Sequence, residues 1–131
     1  MRLLRAAGRA FTGIPYIVLG YDAATEPGMR VNAAAPLLDK ARAVVPVPLD
    51  NETIVRANGA AMAVGGAMVA SGFGARVGAG IIAASLIPTT AAGHAFWEID
   101  DPMQRKMQQV QFVKNLTMLG GVVMILAGNK K

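Results

Sequence analysis

The 131 residues carry 13 Lys and Arg against 8 Asp and Glu, a net charge of +5, yet charged residues are only 16% of the chain and hydrophobic ones 53%. With a mean hydropathy of +0.41, a soluble domain of this length could not hide its apolar surface, so the composition points to a membrane protein. The lack of cysteine excludes disulfides, a thiolate nucleophile, iron–sulfur ligation and Cys-based zinc, and the single histidine argues against a bis-histidine haem or a His-cluster metal site. The basic residues are scattered or terminal, so no nucleic-acid partner is expected.

The first apolar run covers 10–21. It is long enough to cross a bilayer only as a helix over about 3–24, with Arg5 and Arg9 snorkelling to the headgroups. Its basic start resembles a signal peptide. The nearest small-residue stretch, Ala33-Ala34-Ala35, lies too far downstream for cleavage, so the run is expected to be retained. A long polar connection follows. Within it, at about 31–45, Val31, Ala34, Ala35, Leu38, Ala41, Val44 and Val45 recur at helical spacing opposite Asn32, Asp39, Lys40 and Arg42. This spacing predicts an amphipathic segment on the outer face, with an irregular loop as the alternative because Pro36 interrupts it.

Three further spans are expected, at about 53–73, 77–97 and 108–128. Asp50-Asn51-Glu52 supplies cap oxygens and negative charge at the start of the second span. Pro88 breaks a backbone hydrogen bond within the third, where Thr89 or Thr90 can satisfy the freed carbonyl. The predicted architecture is all-α: a four-transmembrane-helix bundle with an outer amphipathic segment. Small residues should hold it together, namely the run from Gly59 to Ala67, then Gly78, Gly80, Ala83 and Ala84, and Gly120 and Gly121 in the last span. Met62, Met68, Met118 and Met124 should fill the gaps between such smooth surfaces.

Arg2, Arg5, Arg9, Arg76 and Lys130-Lys131 fall on one side of a four-span arrangement, and all eight acidic residues fall on the other. Positive charge stays inside, so a multi-pass protein of the cell membrane with both termini cytoplasmic is expected.

The informative residues are polar ones within the apolar runs. Asp22, Arg56, Asn58, His94, Trp97, Lys114 and Asn115 all fall in the outer half at similar depth. Polar groups at such depth usually face a bundle interior. Two readings are open. In one, the cluster is internal glue, with Lys114 paired to Asp22 or Glu98. In the other, it lines a pocket for the head of a lipophilic ligand, with His94, Asn58 and Lys114 bonding its carbonyl or phosphate. No phosphate-binding loop, serine–base pair or metal-ligand set is apparent, and Asp100-Asp101 reads as solvated charge.

Several motifs resemble the DoxX family of small membrane proteins: Gly20-Tyr21-Asp22-Ala23, Arg56-Ala57-Asn58-Gly59, Pro88-Thr89-Thr90, Gly93-His94-Ala95-Phe96-Trp97 and Phe112-Val113-Lys114-Asn115-Leu116. They stand in the family's order across nearly the whole chain. The resemblance implies a four-helix membrane protein associated with quinone-coupled redox complexes, with the same seven polar residues as its matching positions. The expected function is an accessory membrane subunit of a redox or respiratory-associated complex, with no electron carrier of its own. Its partners would be membrane lipids, other membrane subunits or further copies of itself. The alternative is a protein that binds a quinone or lipid in the outer-half pocket.

Overall fold

The computed structural model describes residues 1–128. The chain forms α1 (Arg2–Thr25), α2 (Arg30–Val44), α3 (Asn51–Ser71), α4 (Ala75–Gly93), a 3₁₀ turn (Phe96–Glu98) and α5 (Pro102–Ala127). The expected all-helical class is what the described residues show. Three stretches, Asn51–Ser71, Ala75–Glu98 and Pro102–Ala127, are long and apolar enough to cross a membrane. That is one fewer than the four expected. The first helix runs over the predicted length, but Arg2, Arg5 and Arg9 dilute its apolar character.

The helix ends follow from local chemistry. Asp50 caps α3, its Oδ1 accepting from the Thr53 backbone N–H at 2.7 Å, as expected of a carboxylate at a helix start. The last helix begins well before the predicted 108, because Asp101 accepts from the Met103 and Gln104 backbone N–H groups at 2.8 and 3.3 Å. Pro102 then takes the first helical position, where a missing N–H does no harm. Asp101 is therefore a cap and not free surface charge. Gly72 ends α3 with φ +81, a left-handed conformation suited to glycine.

The Thr53 backbone N–H, and after it the Thr53 hydroxyl, hold the Asp50 carboxyl below the usual carboxylate range. A carboxyl depressed in the folded state adds stability that is complete above its unfolded pKa and lost as pH falls through its folded one. Protection of the Thr53 amide, taken relative to its base-catalysed intrinsic exchange rate, should therefore fall on acidification through that window. An Asp50→Asn variant, which keeps a cap without titrating, should show no such acid limb; an unchanged limb would refute the assignment.

Glycine sets the packing. Gly13 meets Gly66 and Gly20 meets Gly59, so two pairs spaced by seven residues lock α1 antiparallel to α3. A Cβ on Gly20 would lie 2.5 Å from the Gly59 carbonyl, and one on Gly66 would lie 2.7 Å from the Gly13 carbonyl. Both obstacles are backbone, so neither can turn aside. The helix axes can approach this closely only where side chains are absent. Gly65 and Gly78 join α3 to α4 in the same way, a Cβ on Gly78 falling 2.6 Å from the Gly65 carbonyl. The expected small-residue contact in the last helix is missing, since Gly120 and Gly121 have nothing within 4 Å of their Cβ positions.

The buried core is small: Tyr16, Met62, Val69, Ala79, Ile82, Leu86 and Val122. Met118 packs against it, whereas Met124 is exposed and fills no gap. Many large apolar side chains point outward, Phe11 and Val110 among them. Such a surface suits lipid, where no hydrophobic force opposes it. The bundle ends differ chemically. One gathers the start of α1, the α3–α4 turn and the end of α5, where Arg76 Nε donates to the Leu126 carbonyl at 3.0 Å. The other gathers the end of α1, the start of α3, the 3₁₀ turn and α2. Lys130 and Lys131, part of the expected charge asymmetry, lie outside the described residues.

Candidate functional site

The segment predicted at 31–45 is a helix, α2, and Pro36 does not break it. Ala34, Ala35 and Leu38 are half-buried, as the spacing implies, while Ala41, Val44 and Val45 stay exposed. Beneath α2 lies a cavity of about 430 Å³, lined by side chains from all five helices. That volume falls within the roughly 300–1,000 Å³ of small-molecule sites. Ala33, Ala34, Leu37 and Leu38 of α2 form one wall, and Leu19, Ile54, Met62, Leu86 and Met118 make the interior apolar.

Four of the seven predicted polar residues line this cavity: Asn58, His94, Lys114 and Asn115. Asn58 is fully engaged across the α3–α4 contact. Its Oδ1 accepts from Ser85 Oγ at 2.9 Å, and its Nδ2 donates to Thr89 Oγ1 at 3.1 Å. Thr89 in turn donates to the Ser85 carbonyl at 2.8 Å, in the turn that Pro88 disturbs. Buried Asn115 donates from Nδ2 to Thr90 Oγ1 at 3.0 Å, tying α5 to α4. These two asparagines are thus the interhelical glue of the structural reading.

His94 and Lys114 are different. His94 follows the last residue of α4, and its backbone N–H bonds the Thr90 carbonyl. Its Nδ1 lies 2.7 Å from Gln108 Oε1 on α5. In the tautomer where Nδ1 donates to that amide oxygen, Nε2 keeps its lone pair for a ligand proton. Lys114 lies one turn past Val110 on α5. Neither Asp22 nor Glu98 pairs with it, and among the described residues it forms no ion pair, while Arg42–Asp39 and Arg56–Glu52 do.

The remaining three predicted residues stand apart from the cavity. Asp22 is exposed at the end of α1. Arg56 Nη1 donates at 2.7 Å to both the Ala24 and Thr25 carbonyls, and its Nε and Nη2 reach Glu52 Oε1 at 2.9 and 2.8 Å. It therefore satisfies the end of α1 from a neighbouring helix. Trp97 packs edge-to-face with Phe96 and Phe112, with ring centroids 5.3 and 5.7 Å away. The three aromatics clamp the 3₁₀ turn to α5.

Sequence reasoning missed Tyr16. It lines the cavity and is only 2% exposed, yet among the described residues its hydroxyl has no hydrogen-bond partner. Buried tyrosine hydroxyls usually have one. The available signal was position: Tyr16 is the one aromatic residue with a polar tip in the middle of the first apolar run, away from the interfaces where tyrosines gather. Arg30, at the start of α2, was also missed and lines the cavity. No group of three or more His, Asp and Glu gathers among the described residues.

No protein-family model, curated protein or solved structure matches this chain.

Proposed function

We propose that the chain is a membrane-embedded helical bundle that holds a lipophilic molecule with a polar head, a quinone or a lipid, in the cavity beneath α2. The observation that carries this reading is Tyr16, which lines the cavity and whose buried hydroxyl has no partner among the described residues. An unsatisfied buried hydroxyl costs about 1–3 kcal/mol, and a ligand head that pushes aside the side chains covering it would remove that penalty.

In this reading α1 is a fourth membrane-crossing helix. Its support is the pairing of Gly13 with Gly66 and Gly20 with Gly59, which holds α1 alongside α3 over most of its length. Arg2, Arg5 and Arg9 then sit at the interface as snorkelling cations, with both termini on the cytoplasmic side of the cell membrane. The DoxX-like order of motifs supports the same arrangement and a quinone as one of the two ligand types.

A Tyr16→Phe variant tests the reading because its two effects have opposite signs. Removing an unpartnered hydroxyl should leave the ligand-free bundle as stable or slightly more stable. The same change should lower ligand retention several-fold, read by native mass spectrometry after extraction in mild detergent. A wild-type bundle that emerges empty from its native membrane, or a variant that keeps the full ligand load, would refute it.

A second reading, the accessory subunit of a larger redox-associated complex, is favoured by the outward side of α5. There Gly120 and Gly121 are uncovered beside exposed Leu116, Val123 and Met124. Co-purification of protein chains with an empty cavity would select it.

A further inference from the structure

We propose that the molecule held in this cavity carries an anionic head, a carboxylate or a phosphate on an apolar chain. This rests on the ligand-binding reading above and narrows it to one chemistry. Lys114 and Arg30 both line the cavity, and no Asp or Glu does. Arg30 spends one contact on a backbone carbonyl, its Nη1 lying 3.2 Å from the Glu26 oxygen. Lys114 forms no ion pair among the described residues.

Several acidic residues are committed elsewhere: Asp39 to Arg42, Glu52 to Arg56, Asp50 to the α3 cap and Asp101 to the α5 cap. Lys114 is exposed, yet it stands within an apolar helix, where a cation normally has a carboxylate or carbonyl partner. The buried Tyr16 hydroxyl adds a donor that has no partner among the described residues. Asn58 adds nothing further, since both ends of its amide are used by Ser85 and Thr89. The lining therefore offers two cations with no carboxylate beside them, together with the Tyr16 hydroxyl. Two cations and a hydroxyl donor match an acceptor-rich, negatively charged head, whereas a neutral quinone ring would leave both cations without a counter-charge. The apolar wall around it accepts the chain.

The test uses the full-length bundle, stripped of bound lipid and held in dodecyl maltoside. Binding of palmitate, hexadecyl phosphate, methyl palmitate and a short-chain ubiquinone is measured at neutral pH. The expected result is that at least one anionic probe binds about ten-fold or more tightly than methyl palmitate, the scale of one charge-assisted hydrogen bond. The better of the two anions names the source as fatty carboxylate or phosphate. Lys114→Gln should erase the preference while leaving ester binding within about two-fold, and Lys114→Arg should keep it. Equal binding of acid and ester, or a quinone preferred to both anions, would overturn the anionic head while leaving a ligand cavity standing. Failure of all four probes would overturn both.

Discussion

Replacing Gly20 or Gly66 with leucine should unfold the bundle or detach α1, the largest effect of any single substitution considered. At Gly20 the new Cβ would meet the Gly59 carbonyl and the Ala63 amide nitrogen, each at 2.5 Å. Overpacking against movable side chains costs about 1–3 kcal/mol. Here the obstacle is backbone, so the helices must separate and lose the contact along their length, and a loss of about 3 kcal/mol or more is expected. The measurement is sodium dodecyl sulfate titration in mixed micelles, followed by the fluorescence of the single tryptophan, Trp97. Gly120→Ala is the control. Its Cβ meets nothing within 4 Å, so its stability should equal that of wild type or exceed it by up to about 1 kcal/mol. Equal effects at Gly20 and Gly120 would mean that helix propensity, not close approach, governs these glycines.

Removing the Arg56 side chain should be the next most damaging change, and it should act on the fold without touching the cavity. Arg56→Leu strands the Ala24 and Thr25 carbonyls at the end of α1 and breaks the pair with Glu52. Charge-assisted bonds of this type are worth about 1.5–3 kcal/mol each when buried. The Arg56 side chain is 41% exposed, so water competes for its bonds and a total near 2 kcal/mol is expected. Ligand retention by the surviving folded fraction should equal that of wild type. A folded Arg56→Leu bundle that loses its ligand would instead return Arg56 to the site.

These two substitutions mark where reading the sequence succeeded and where it stopped. The apolar runs were legible because about 20 uncharged residues in a helix match a hydrocarbon thickness. The Asp50 cap was legible because capping is local. The start of α5 lies earlier than hydropathy implies because Asp101-Pro102, a cap followed by proline, sets a helix start whatever the hydropathy of the next turn. Depth along a helix is simple arithmetic, and four of the polar residues grouped by it, Asn58, His94, Lys114 and Asn115, line one cavity. Depth says nothing about rotation around the helix axis. Arg56, two residues from Asn58, therefore turns to α1, and Trp97, three from His94, turns to Phe112.

The small-residue logic shows the same division. Spacing identified glycine-rich faces in α3, α4 and α5, and only the first two are used within the chain. Gly13 and Gly20 in α1 gained significance only once Gly66 and Gly59 were found opposite them.

What the sequence determined by itself was an all-helical chain, a charge asymmetry along its length and a short set of polar residues at one depth; of its four expected spans, three are apolar enough to cross a membrane. Each is a property of residues near one another in the chain or of their sum. The tertiary structure decided which polar groups are spent on one another and which remain free. Asn58 and Asn115 are satisfied by threonine and serine from neighbouring helices. Tyr16, His94 and Lys114 instead line a cavity roofed by α2. That distinction depends on how each helix is rotated and on how closely backbones approach at Gly13–Gly66 and Gly20–Gly59, and contacts between distant segments alone set both.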